Sequence, residues 1–400
     1  MLLSLALILL SGLLLGGLMK SLRLPALTGY LIAGFLTGPF CLGWLDSGLL
    51  QISPEIRRIA LVIILMKAGL SLDLEDLRRI GRPAVLLCFV PATCEIAAFL
   101  LLGPHLLGFS LLESALLGAV MAAVSPAVVV PRMTRMMDEG LGTEKGIPQM
   151  IVAGASADDV YVIAIFSALL SLSSGGSVTA WDFLQIPLAM LTGILAGAAA
   201  GLAASWLLAR IRSGAVEQFL ILLSASFLLL ALEEALAPFF SLSGLLGVMS
   251  LCITVRRRKS ALASECARLC GRIWTGAEIF LFALVGAIVD LKVIRHSGIA
   301  MVLLLCAGLC LRLSGTWLCV SGRGLTFREK LFCAFCETPK ATVQAAIGGI
   351  PLSAGLACGN TVLAFAVLAI LLTAPAGAFL IDSTCRRWLR QDAKRASSVP

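Results

Sequence analysis

Ile147 to Leu170 read "IPQMIVAGASADDVYVIAIFSALL", a run apolar enough to lie in lipid yet carrying two adjacent acids, Asp158 and Asp159, in its middle. A helix of about 20 apolar residues spans a bilayer, and a carboxylate at the bilayer centre costs roughly 2.5–3.5 kcal/mol on the insertion scale. Two such groups need a compensating role. The rest of the chain shares this environment, because 59% of the 400 residues are apolar and only 14% are charged, with a mean hydropathy of +1.01. Soluble folds do not have that composition. The fold class it dictates is an all-α polytopic membrane protein.

Apolar runs of spanning length recur on both sides of Ile147–Leu170. They lie near 2–19, 25–42, 56–72, 83–102, 111–131, 147–171, 183–209, 216–236, 240–255, 271–290, 297–320, 329–350 and 360–381, which makes about 13 transmembrane helices. Cytoplasmic loops collect Lys and Arg, so the basic residues test this count. Alternate breaks carry Arg78, Arg79 and Arg82, then Arg132, Arg135 and Lys145, then Arg256 to Lys259, and finally the tail from Arg386 to Arg395. Opposite breaks hold only Arg57, Arg58, Lys292 and Arg295. A missed or invented helix would scramble that sorting. The expected topology is multi-pass in the plasma (inner) membrane, with the N-terminus outside and the C-terminus cytoplasmic.

The net charge of +8 is then a topological signal and needs no nucleic acid to explain it. The tail at 383–400 reads as a basic cytoplasmic anchor, with anionic lipid as its other partner. The first span lacks the basic start and small-residue cleavage site of a signal peptide and is kept as a helix. Thirteen cysteines, mostly inside the spans, read as small buried side chains. With only His105 and His296 in the chain, a conventional metal site and a bound cofactor are not expected.

The two halves resemble each other. "MKAGLSLD" (66–73) and "ALVGAIVD" (283–290) pair Gly69 with Gly286 and Asp73 with Asp290 at an offset of 217. Glu95 falls on Arg312 at the same offset, and "SPAVVVP" (125–131) falls on "TPKATVQ" (338–344) at 213, Pro126 meeting Pro339. Each half therefore has a charged helix followed by one interrupted by proline and polar residues. The copies begin at the third and tenth spans, an odd number apart, so they lie in opposite orientations across the membrane. This is the inverted-repeat pattern of secondary transporters, whose two broken helices cross near the ion site. Pro126, Pro131 and Pro339 each remove a backbone hydrogen bond, which membranes tolerate where protein or a watery cavity replaces it. The expected organisation is one transporter unit, 1–382, with repeats at roughly 56–209 and 271–381.

Neighbouring residues on a helix project about 100° apart, so Asp158 and Asp159 need separate partners. A carboxylate removed from water holds a proton more firmly, and a small hard cation prefers oxygen ligands. Proton and cation can then compete for the same oxygens, which is the requirement of an antiporter. Lys340 and Lys67 are the intramembrane cations available to pair with an aspartate, and Lys340 could instead offset a half-helix dipole. Glu95 and Arg312 are expected to form a buried structural ion pair. Glu278 and Glu337 are further carboxylates whose place at the core or at its mouth the sequence leaves open.

The segments "LRLPALTGYLIAGFLTGP", "AGLSLD", "SPAVVVP", "GASADDVYVIAIF" and "ETPKATVQAAIGG", spread from about residue 12 to residue 382, resemble the monovalent cation:proton antiporter superfamily. Within it they resemble sodium/hydrogen exchangers of the paired-aspartate type. The resemblance implies a core subdomain and a dimerisation subdomain interleaved along the chain, a homodimer in the lipid bilayer, and exchange of Na+ or Li+, with K+ a further candidate, for protons. It implies Asp159 as the principal ligand of cation and proton, and Asp158 as its assistant or as an ion-paired neighbour. Ser125, Ser156, Thr338 and Lys340 are implied as supporting residues. Paired aspartates also imply electrogenic exchange. One departure stands out: several paired-aspartate relatives carry a lysine in the helix matching 271–290, whereas this chain has none between Trp274 and Asp290 and offers Glu278.

Two other classes fit less well. A sodium-coupled organic-anion symporter of the bile-acid type shares the architecture, but acids at 158 and 159 repel its anion. An intramembrane aspartyl protease needs its two carboxylates on different helices, facing across a water. Neighbours on one helix cannot do that, so the chain is not read as an enzyme.

Overall fold

The computed structural model describes residues 1–22, 24–71, 81–174, 180–211, 214–236, 242–289 and 291–391, the side chains at 156–157, 174, 180–187, 291–292 and 294–296 excepted. Regular structure among the described residues is helical, apart from one bridge between Leu141 and Gln391. The helices are α1 (Leu2–Ser21), α2 (Ala26–Thr37), α3 (Ser47–Gln51), α4 (Ser53–Ser71), α5 (Arg82–Leu87), α6 (Val90–Leu107), α7 (Leu111–Met121), α8 (Pro126–Asp138) and α9 (Ile147–Ser174). They continue as α10 (Ala180–Arg210), α11 (Ala215–Leu236), α12 (Gly244–Arg258), α13 (Ser260–Ala287), α14 (Leu291–Val320), α15 (Phe327–Cys336), α16 (Thr342–Ile347), α17 (Ile350–Ser353) and α18 (Gly359–Trp388).

Nine helical segments among the described residues are long and apolar enough to cross a membrane, against about 13 expected, with Arg82–Leu107 and Leu111–Asp138 each counted as one. Several boundaries differ from the expectation. The stretch expected at 83–102 is split between α5 and α6, with Pro91 in the first turn of α6. Helix α18 runs on to Trp388, so the start of the segment assigned to a tail at 383 is helical. Asp73 and Asp290, one of the four paired positions of the repeat, lie outside the described residues, as do Arg78 and Arg79.

The chain divides into two compact units, the first comprising Met1–Gln51, Leu74–Val162 and Phe282–Pro400, and the second Ile52–Asp73 and Ile163–Leu281. In the second unit α10 packs on α12. The approach is close enough that a Cβ on Gly197 would stand 2.1 Å from the Gly247 carbonyl oxygen. Without a hydrophobic driving force between helices in lipid, such backbone approach through small residues is how they associate.

The first unit holds both interrupted helices. Each starts with the same device: Ser110 caps α7 in a capping box with Glu113, and Thr326 caps α15 in a capping box with Glu329. Two orphan N–H groups are satisfied reciprocally in each box. Helix α7 then stops at Met121, and α8 resumes at Pro126, whose missing N–H is harmless at a first helical position. Pro131, expected to interrupt as well, sits inside α8 without ending it. The second break runs from Glu337 to Ala341, with Pro339 at its centre, before α16 begins. Beside these breaks α6 packs along α14, bringing Glu95 and Arg312 into the interior of the same unit.

Candidate functional site

The two breaks meet. The Ser125 backbone N–H donates to the Pro339 carbonyl at 2.8 Å, joining the start of α8 to the middle of the second break. Gln344, on α16, reaches back and donates from its side-chain nitrogen to the carbonyls of Ala123 at 2.9 Å and Met121 at 3.3 Å. A helix end leaves its last carbonyls without intrahelical partners, and here the opposite broken helix supplies donors for them.

Arg312 organises the charges around this crossing. Its Nη2 donates to Asp158 Oδ2 at 2.9 Å and to Glu337 Oε2 at 2.6 Å, and its Nη1 donates to Glu95 Oε2 at 3.1 Å. The same guanidinium donates to the main-chain carbonyls of Ala122 and, at 2.9 Å, Glu337. Five donors in a fixed planar fork suit arginine to this task. Lys340 Nζ donates to Glu95 Oε2 at 2.5 Å, and its backbone N–H donates to Thr373 Oγ1 at 2.9 Å. Glu95, Arg312 and Lys340 are all completely buried. Breaking such a pair by removing one partner is costly, because the other charge stays behind in a dry interior.

The two aspartates are dry but differently engaged. Asp158 is 0% exposed and Asp159 4%. Asp158 accepts from Arg312 and, at 2.9 Å, from the Val124 backbone N–H in the first break. Asp159 takes part in none of the ion pairs among the described residues, and its Oδ1 has no hydrogen-bond partner there. Four buried carboxylates, those of Glu95, Asp158, Asp159 and Glu337, thus face two fixed cations, Arg312 and Lys340. With every group ionised the cluster carries two uncompensated negative charges, and a proton or monovalent cation on Asp159 removes one of them.

Of the residues expected to support the aspartates, Ser125 is buried in the crossing with its hydroxyl unpartnered among the described residues. The Thr338 hydroxyl donates to the Phe335 carbonyl at 2.8 Å, which leaves its lone pairs free. The side chain of Ser156 lies outside those described. Lys340 belongs to the cluster but pairs with Glu95, not with an aspartate, because Arg312 already occupies Asp158. The cation paired with Asp158 is Arg312 of α14, and not a lysine of the helix matching 271–290. Lys67 and Glu278 belong to the second unit.

Gln344 went unrecognised as a member of the site, and Glu337, whose place the sequence left open, lies inside it. "CETPK" crowds Glu337 between polar residues, which suits the core and the mouth of a cavity alike, while a lone glutamine in "ATVQAA" carries no charge to mark it. The offset from Ser110–Glu113 to Thr326–Glu329 was a legible signal for where each broken helix starts.

A buried carboxylate cluster gathered where two interrupted helices cross is the construction of a secondary transporter. Comparison with known proteins gives that class its family. The family described as "Sodium/hydrogen exchanger, transmembrane" matches residues 5–382. Sodium/hydrogen exchanger 9B2 of Mus musculus is 33% identical over 385 residues, covering 93% of this chain and 70% of that protein. The Homo sapiens protein of the same name is 33% identical over 387 residues, covering 92% and 70%. Among solved structures, the sodium proton antiporter MjNhaP1 from Methanocaldococcus jannaschii superposes with a TM-score of 0.82 at 20% identity, covering 96% of this chain and 97% of that one. At that identity the likeness is one of fold. The chain belongs to the sodium/hydrogen exchanger family.

Proposed function

We propose that this protein is a secondary antiporter exchanging Na+ or Li+, with K+ a further candidate, for protons by alternating access, and that Asp159 is the ligand for which cation and proton compete. The observation that carries the reading is the contrast within the pair: both carboxylates are out of water, Asp158 is held by Arg312, and Asp159 keeps an unpartnered oxygen. A dry carboxylate without a counter-charge has strong reason to take either H+ or a bare monovalent cation. Asp158 then shapes the site as an ion-paired neighbour that also pins the first break through Val124. Ser125, Thr338 and Ser156 are the side-chain oxygens assigned to complete the cation's shell.

In this reading transport is the protein's whole chemistry, with no cofactor and no bond-making step. It works in the plasma membrane as a homodimer, N-terminus outside and C-terminus cytoplasmic. The organic-anion symporter has no observation in its favour. The test is sodium-driven proton flux in proteoliposomes: Asp159→Asn abolishes it while the thermal unfolding midpoint stays within a few degrees of the parent. Retained exchange in that variant would remove Asp159 from the mechanism.

A further inference from the structure

We propose that Gln344 sets the cation affinity of the exchanger by occupying main-chain oxygens that the cation would otherwise bind. The proposal rests on the reading of Asp159 as the cation's seat. In broken-helix transporters the unwound carbonyls and half-helix C-termini supply cation ligands, because those carbonyls are orphaned and carry the negative end of the helix dipole. The corresponding carbonyls of α7 and the first break are occupied by donors in this protein. Arg312 takes that of Ala122, and Gln344 takes those of Met121 and Ala123. The break belongs to the site, since Val124, the next residue, donates its N–H to Asp158.

Gln344 is suited to this role by what it lacks as well as by what it donates. It is completely buried and neutral, so it satisfies two carbonyls without adding a third fixed cation to the cluster. Its amide must turn the nitrogen toward Met121 and Ala123, because an oxygen there would oppose two acceptors. That orientation leaves Oε1 without a partner among the described residues. A cation at Asp159 is consequently held by fewer main-chain oxygens than the break could offer. Looser binding favours release, which every turnover requires. Gln344 is a positioning residue in this account, acting through the Met121 and Ala123 carbonyls.

The test is sodium-driven exchange by the full chain in proteoliposomes, with KM and kcat separated. Gln344→Met keeps the volume and removes both donors, freeing two carbonyls for the cation. The KM for sodium should fall at least about fivefold, the equivalent of one hydrogen bond of ~1 kcal/mol. The kcat should fall with it, since a more tightly held ion leaves more slowly. Gln344→Asn keeps the donors on a shorter stem and should shift KM in the same direction by less. If the Met variant fails to fold, the sign of the KM change in the Asn variant decides. A merely structural role predicts the reverse pattern, kcat falling while KM is unchanged or raised, and that result overturns the proposal. Exchange surviving in Asp159→Asn would instead remove the seat itself, whatever Gln344 does.

Discussion

Asp158 and Asp159 stand side by side in sequence, but the guanidinium of Arg312 divides their work. Arg312 binds three carboxylates and two main-chain carbonyls from one planar group. Lysine offers a point charge and cannot span them. Arg312→Met is therefore expected to destabilise the protein by about 3–5 kcal/mol, the scale on which a buried pair fails when one partner is removed, and Arg312→Lys by less, because the charge stays while the fork is lost. Thermal unfolding in detergent measures this, and a lysine variant as stable as the parent would show that the three-way geometry is dispensable. The aspartates and the Glu95–Arg312 relation were legible in the sequence because charge in an apolar run is conspicuous. The Arg312–Asp158 contact was not, since a side chain's choice among three acids depends on helix placement that no spacing encodes. Gln344 was hidden for the simpler reason that a neutral amide carries no insertion penalty large enough to mark it.

The two broken helices are positioned by ordinary helix chemistry. Capping boxes start them, and a proline at the first helical position restarts α8. At the far end of α8, Asp382 of α18 accepts from Arg132 at 3.1 Å and Arg135 at 2.9 Å, fastening that half-helix to α18. Helix α18 also abuts the second break. A Cβ on Gly377 would lie 2.5 Å from Pro339 Cγ and 2.7 Å from Thr338 Oγ1. Gly377→Ala is thus expected to cost about 1–3 kcal/mol by overpacking and to slow exchange by displacing the break. Gly17→Ala, with nothing within 4 Å of its new methyl, is expected to leave both unchanged. Unfolding midpoints and flux on the two variants check the pair, and equal effects would contradict the placement of α18. At this scale the sequence located the interruptions through their prolines but misplaced one. Pro131 remains inside α8 as its sixth residue, where it removes the usual intrahelical donor to the Ala127 carbonyl without ending the helix.

For the molecule as a whole, the apolar runs and the sorting of basic residues made an all-helical membrane protein legible, and the family match extends from residue 5 to 382. The division into two units was not readable from the residues, because each unit is assembled from separated stretches of chain. One consequence of the site's charges belongs to this scale. The paired aspartates alone imply electrogenic exchange, yet Asp158 is committed to Arg312, and in the proposed reading Asp159 alone trades one proton for one cation. Flux in proteoliposomes is accordingly expected to be indifferent to a potassium/valinomycin clamp, and a rate that follows the imposed potential would mean that a second group exchanges its proton. The central claim, that H+ and the cation take turns on Asp159, is tested most directly by the half-saturating sodium concentration of the parent protein across a pH series. Competition for one oxygen predicts a rise of about tenfold for each unit of acidification in the range where protons hold the site. A half-saturation that does not move with pH would contradict it.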